Sequence, residues 1–148
     1  MYRKFLPVAL IALFSITMFG CGDDVLSPDD PSMKAKIDGT EKETASVTAL
    51  KLASSMNITG SFSDGTGITL GLNNITEPTT VDLGTGTSHT GSYFITSTST
   101  TYASTEGEVK IESVDDNGIT GTFSFKATKL NGTETVEISD GSFAAKFQ

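Results

Sequence analysis

Met56-Asn57-Ile58-Thr59-Gly60-Ser61-Phe62-Ser63-Asp64-Gly65-Thr66-Gly67-Ile68-Thr69-Leu70-Gly71-Leu72 is the stretch whose reading decides the fold of this 148-residue chain. Met56, Ile58, Gly60 and Phe62 share one face, Asp64-Gly65 turns the chain, and Ile68, Leu70 and Leu72 answer on the way back. Apolar residues at every second position mark a half-buried strand. An Asp-Gly pair between two such runs marks a hairpin, because glycine and aspartate tolerate the left-handed backbone that a tight turn needs.

The same grammar extends in both directions. Met33, Ala35 and Ile37 alternate with polar residues and meet a turn at Asp38-Gly39, while Thr40 to Ser55, with Val47, Leu50 and Leu52, reads either as strands or as a short helix. After Pro78, Val81 and Leu83 mark a short strand and 84–91 a loop; Tyr93 and Ile95 then alternate with Phe94 and Thr96. Residues 98–103 read as an extended edge, and Val109 with Ile111 opens a separate strand that ends at Asp115-Asp116-Asn117-Gly118. Ile119, Phe123, Phe125 and Ala127 form one arm of a hairpin, Asn131-Gly132 its turn, and Val136 and Ile138 its return. A last strand after Asp140-Gly141 points Phe143, Ala145 and Phe147 inward. About nine short strands joined by Asp-Gly or Asn-Gly turns, with no amphipathic helix, predict an all-β antiparallel domain. The short strands and medium-sized core residues favour a β-sandwich, with a small β-barrel as the alternative. An internal echo, Ile58-Thr59-Gly60-Ser61-Phe62 and Ile119-Thr120-Gly121-Thr122-Phe123, sets a glycine at an inward position in both copies, leaving room for a bulge, a bend or a bulky neighbour.

The N-terminus carries an address. Arg3 and Lys4 precede an apolar run from Phe5 to Phe19 that ends at Gly20-Cys21. This is the anatomy of a secretory signal, shorter than a membrane-spanning helix and interrupted by Pro7. Residues 1–20 are therefore expected to be removed, with Cys21, the sole cysteine, as the lipidated first residue of a mature lipoprotein. Residues 21–32, with four aspartates and two prolines, predict a flexible acidic tether, and 33–148 a single β domain. Acyl chains on Cys21 anchor a protein without any transmembrane helix.

Charge narrows the partners. The whole chain carries a formal net charge of −8 from 10 basic and 18 acidic residues, and loss of Arg3 and Lys4 makes the mature domain more acidic still. Nucleic acid is excluded as a partner by that sign of charge. With one cysteine no intramolecular disulfide forms, so stability must come from the core.

Ala35-Lys36-Ile37-Asp38-Gly39, the paired strands above and the closing Ile138-Ser139-Asp140-Gly141-Ser142-Phe143 together resemble a family of small uncharacterised Bacteroidota lipoproteins. That resemblance spans most of 33–148 and implies fold and location, with no catalytic or binding residue to carry over. Glu41-Lys42-Glu43 stands where many relatives carry a larger aromatic. Gly22-Asp23-Asp24 partly resembles the acidic export signal that follows the cysteine in surface-displayed lipoproteins of Bacteroidota, with a plain solvated linker as the other reading.

Chemistry is sparse. His89 is the only histidine and lies in a loop without a nucleophile-elbow pattern, so it reads as a solvated loop residue. One histidine and one lipidated cysteine do not make a zinc site, and Asp115-Asp116-Asn117 lacks the alternating spacing of a calcium loop. No metal, cofactor or catalytic residue is expected. The sequons at Asn57, Asn74 and Asn131 carry no meaning beyond threonine-rich strands. Phe94 and Tyr102 are the aromatics that alternation points outward, and so the ligand-binding candidates. The expected protein is a non-enzymatic outer-membrane lipoprotein, facing the periplasm or the cell surface, that binds a protein, glycan or small molecule or serves as a structural module of the envelope. The alternative is a lipocalin-like carrier with a cavity lined by Phe62, Phe123 and Phe125. A hydrolase with a carboxylate site is the third reading.

Overall fold

The structure, a computed structural model, describes residues 25–148; the expected signal segment (1–20) and Cys21 lie outside the described residues. Nine antiparallel strands follow one another: β1 (Ser32–Ile37), β2 (Thr40–Leu52), β3 (Ser55–Phe62), β4 (Thr66–Asn73), β5 (Thr79–Asp82), β6 (Thr90–Ile95), β7 (Thr100–Val114), β8 (Gly118–Lys129) and β9 (Thr135–Lys146). Each pairs with its sequence neighbour except around β5, where β4 pairs directly with β6. The last strand returns to the first, Lys34 facing Ser142 and Ile37 facing Ile138. β7 to β8 closes the remaining seam. The result is an eight-stranded up-and-down barrel, with β5 as a ninth strand outside the ring.

The expected sandwich is thus corrected to the barrel, and two long strands explain the difference. Thr96–Thr98 form a 3-10 turn, and residues 100–103 and 109–111 belong to one strand, β7, which runs through two bulges near Thr105 and Glu112. Likewise Asp140-Gly141 is a bulge inside β9 and not a turn: Asp140 adopts φ +48°, and Ile138 and Phe143 both stay on the inner face. Bulges bend a strand and raise its twist. That curvature lets one sheet close on itself instead of splitting into two flat layers. β2 is likewise a single strand with an irregularity near Ala45, and no helix forms there. β7 is long enough for its start to pair with β6 (Tyr93 opposite Tyr102) and its far half to pair with β5 (Val81 opposite Val109) along the same edge.

The inner face holds the core: Met33, Ile58, Ile68, Leu70, Leu72, Val109, Ile111, Ile119, Ile138 and Phe143 are all buried. Ile75 and Leu83, from the long β4–β6 connection, join the same cluster. Both copies of the echo explain their glycines. A Cβ on Gly60 would stand 2.6 Å from Met33 Sδ, so there the missing side chain makes room for a bulky neighbour. One on Gly121 would meet the Lys110 carbonyl oxygen first and the Phe143 ring at 3.0 Å, so there close backbone approach comes before the aromatic neighbour.

The turns follow their sequence signals. At Asp38-Gly39 both residues have positive φ (47° and 82°), as a two-residue hairpin of right-handed strands requires. Asp38 also holds β9, its backbone N–H donating to Glu137 O and its Oδ1 accepting from Glu137 N–H, both at 2.9 Å. Of the acidic segment before β1, residues 25–31 lie along the outer wall. Pro28 sits over Gly118, Asp29 meets Lys146 Nζ at 3.3 Å, and Val25 and Leu26 border Ser32, Lys34 and Ser142.

Candidate functional site

An eight-stranded barrel has an interior wide enough either to be filled by side chains or to hold one small ligand. Here Phe62, Phe123 and Phe125 are the test, because a carrier would line its cavity with them. All three are buried. Phe123 packs 6.1 Å from Phe143 and 6.2 Å from Phe125, ring centre to ring centre, and it fills the space left by Gly141, where a Cβ would stand 2.5 Å away. Phe125 fills the space over Gly91 beside Leu83. The Phe123 and Phe125 rings meet side chains and glycine slots of other strands, and Phe62 is buried in the same core beneath Lys42, so the interior around them is packed.

Phe62 lies at the lower mouth, the end that carries the Asp38-Gly39 and Asp64-Gly65 turns, and the most polar cluster of the barrel is built there. Lys42, directly opposite inward-facing Ala35, points into the mouth. Its Nζ donates to Asp64 Oδ2 at 2.6 Å and Thr66 Oγ1 at 3.2 Å, and stands 5.8 Å from the Phe62 ring centre and 6.0 Å from that of Tyr93. Partial burial works against the ammonium charge, but the Asp64 hydrogen bond and nearby Tyr93 outweigh it, and the Lys42 pKa is raised. In return Asp64, bonded by Lys42 and by the hydroxyl and N–H of Thr66, is lowered to about 2. Each polar atom of this cluster is engaged by another. Lys42 therefore acts as a stopper for an aromatic mouth and not as a free nucleophile.

The alternation reading of Tyr102 is corrected at the same mouth. Tyr102 stands directly opposite Tyr93 on the neighbouring strand, so both rings share the inner face, 5.9 Å apart. Its hydroxyl donates to Glu134 Oε2 at 3.5 Å, and Glu134 is itself bonded to Lys129 at 2.8 Å. Phe94 does face outward: it lies opposite Gly67, and its ring rests on that glycine, half-buried against the wall. The two candidates thus lie on opposite sides of the sheet and form no common platform.

At the upper end His89 is half-buried and occupied. The Asn73 backbone N–H donates to His89 Nδ1 at 3.2 Å, and Asn73 Nδ2 donates to Ser88 O. A triad base needs its Nδ1 proton directed at a carboxylate and its Nε2 free to accept. With Nδ1 accepting, His89 has the opposite arrangement, and it serves to pin the 83–89 loop to β4. Asp115 is used similarly: its Oδ1 accepts from the N–H groups of Asn117 (2.7 Å) and Gly118 (2.9 Å), which lower its pKa. A rim cleft of about 400 Å³ between Lys51, Met56, Ile75, Val114 and Asp115 lies beside it, with Lys51 5.1 Å above the Phe147 ring. Among the described residues no three His, Cys, Asp or Glu side chains converge as metal ligands.

The outer wall is divided by charge. Lys34–Glu43, Lys36–Asp140, Lys110–Glu112, Lys126–Glu106 and Lys146–Asp29 are ion pairs on the half built by β1, the start of β2, the far half of β7, β8 and β9. Charged residues outside and apolar ones inside are the reverse of a membrane-spanning barrel, whose outer band faces lipid. Sequence reading missed both this division and Lys42. A signal for each was present: the two-residue turn at Asp38-Gly39 sets Lys42 opposite Ala35, and β3, β4 and β6 contain no charged residue at all.

Residues 29–145, from the docked segment through nearly all of β9, match the model of a family described as a domain of unknown function (DUF6252). The chain belongs to this family. No curated protein and no solved structure matches it. The DUF6252 match covers the barrel, so the geometry above is that of the family's domain in this chain.

Proposed function

We propose that the chain is a lipid-anchored, non-enzymatic binding module of the outer membrane, held through Cys21 and making its contacts with the outside of the barrel. The observation that carries this reading is the packed interior: with Phe62, Phe123 and Phe125 engaged by their neighbours, a ligand has the outer surface left to meet. That favours a surface binder over a lipocalin-like carrier. The engaged His89, Asp115 and Lys42 support a role without catalysis. The anchor fits the geometry as well. Cys21 is four residues from Val25, a reach of at most about 14 Å, so lipid on Cys21 would hold the β1–β9 side of the barrel towards the membrane. Cys21→Ser tests the anchor: the variant is expected to lose palmitate labelling and to leave the membrane fraction, and unchanged labelling and fractionation would contradict it.

A further inference from the structure

We propose that the uncharged wall of the barrel, made by β3, β4 and β6 with the adjoining parts of β2 and β7, binds a neutral polysaccharide; this rests on the reading of the chain as a surface-binding module. Three adjacent strands without a charge stand out in a chain of which 19% of residues are charged. Their outward side chains fall into cross-strand rows. Thr48, Thr59, Thr69 and Ser92 stand in register in one, and Ser46, Ser61, Gly67 and Phe94 in the next. Strands about 4.8 Å apart set these rows side by side as a band of hydroxyls on the convex wall, and Thr59 and Thr69 already share a hydrogen bond of 3.0 Å. Gly67 makes room for the half-buried Phe94 ring on this wall, an aromatic beside donors and acceptors that match sugar hydroxyls.

The alternatives fit less well. The wall has no charge with which to attract an ionic partner. Its outward positions carry no Trp, Tyr or Arg, the residues that anchor protein–protein interfaces, since Tyr93 and Tyr102 face inward. A second copy would bring another strongly acidic molecule against it. The chain's own tether lies across the ring: β6 is four strands from β1 in either direction, and residues 25–31 rest on the β1–β9 side. An anchor on that side leaves the uncharged wall facing away from the membrane.

The test is affinity electrophoresis of the full chain, kept soluble in mild detergent, through gels containing β-glucan, xylan or mannan, with alginate as an anionic counterpart. Retardation by at least one neutral polymer is expected. Phe94→Ala, and separately Thr69→Lys with Ser92→Lys, should weaken it by about tenfold, as loss of one stacking contact does, whereas Glu108→Lys on the charged wall should leave it unchanged. The lysine variants sit at half-exposed outward positions, so an unaltered circular dichroism melt separates lost binding from lost folding. No retardation by any neutral polymer, retardation by alginate alone, or retardation that survives the Thr69 and Ser92 changes would overturn the proposal. Concentration-dependent dimerisation abolished by the same changes would overturn it in favour of self-association. Palmitate labelling of Cys21 is read separately, so failure of the anchor and failure of the polysaccharide site are distinguishable.

Discussion

Lys42 and Asp64 show how an inward-facing charge is tolerated at a barrel mouth. Lys42 is mostly covered, Asp64 is half exposed, and the 2.6 Å contact between them is reinforced by Thr66. Because solvent screens Asp64, its replacement by Asn should cost at most about 1 kcal/mol in urea unfolding at pH 7. The pH dependence is more telling. Asp64 is held near 2 against an ordinary 3.8, so its contribution is fully present above pH 3.8 and is lost as pH falls towards 2. The stability difference between wild type and Asp64→Asn should therefore shrink across that window, and a difference that persists at pH 2 would refute the pairing. Gly141 and Phe123 are a second residue-scale test. Gly141→Ala drives a methyl into the Phe123 ring and should destabilise by roughly 1–3 kcal/mol. Combined with Phe123→Leu the loss should be less than additive. What was legible at this scale was direction by alternation, which placed Met56, Ile58, Phe62 and Phe143 correctly. It failed for Tyr102, because the reading cut β7 in two and had no register to set Tyr102 against Tyr93.

At the scale of elements, the hairpins were readable and the bulges were not. Asp38-Gly39 and Asp64-Gly65 are turns because strands with opposed apolar faces lie on both sides of each. Asp140-Gly141 has the same letters but keeps its neighbours in one strand, and only pairing with both β1 and β8 distinguishes the two cases. β5 tests the architecture in another way. It is four residues long, mostly exposed and paired only with β7, so it is a wing on the barrel. Its hydrogen-bonded amides should exchange with solvent by local opening, about a hundredfold or more faster than those of β3 and β4, which need global unfolding. Leu83, just after β5, behaves oppositely because it is buried in the core beside Gly91. Leu83→Ala should cost roughly 2–5 kcal/mol in equilibrium unfolding, whereas Val81→Ala, half-exposed on β5, should cost far less.

For the whole molecule, closure and filling are the two properties that matter. The antiparallel all-β class follows from alternation and turn chemistry alone, but the choice between sandwich and barrel rests on long-range pairings, β9 to β1 and β7 to β8, that no local pattern encodes. The division of the surface by charge was half visible: charge is absent from β3, β4 and β6 in the letters themselves, yet only the ring order brings these strands together and sets them across from residues 25–31. The proposed surface binding requires the barrel to be full, because an open interior would favour a carrier instead. The most direct measurement is a titration of the full chain with a fluorescent fatty-acid probe, followed by competition with unlabelled fatty acid. A filled barrel predicts no saturable binding and no displacement; one-to-one saturable binding that is displaced by competitor and abolished by Phe123→Trp would contradict it.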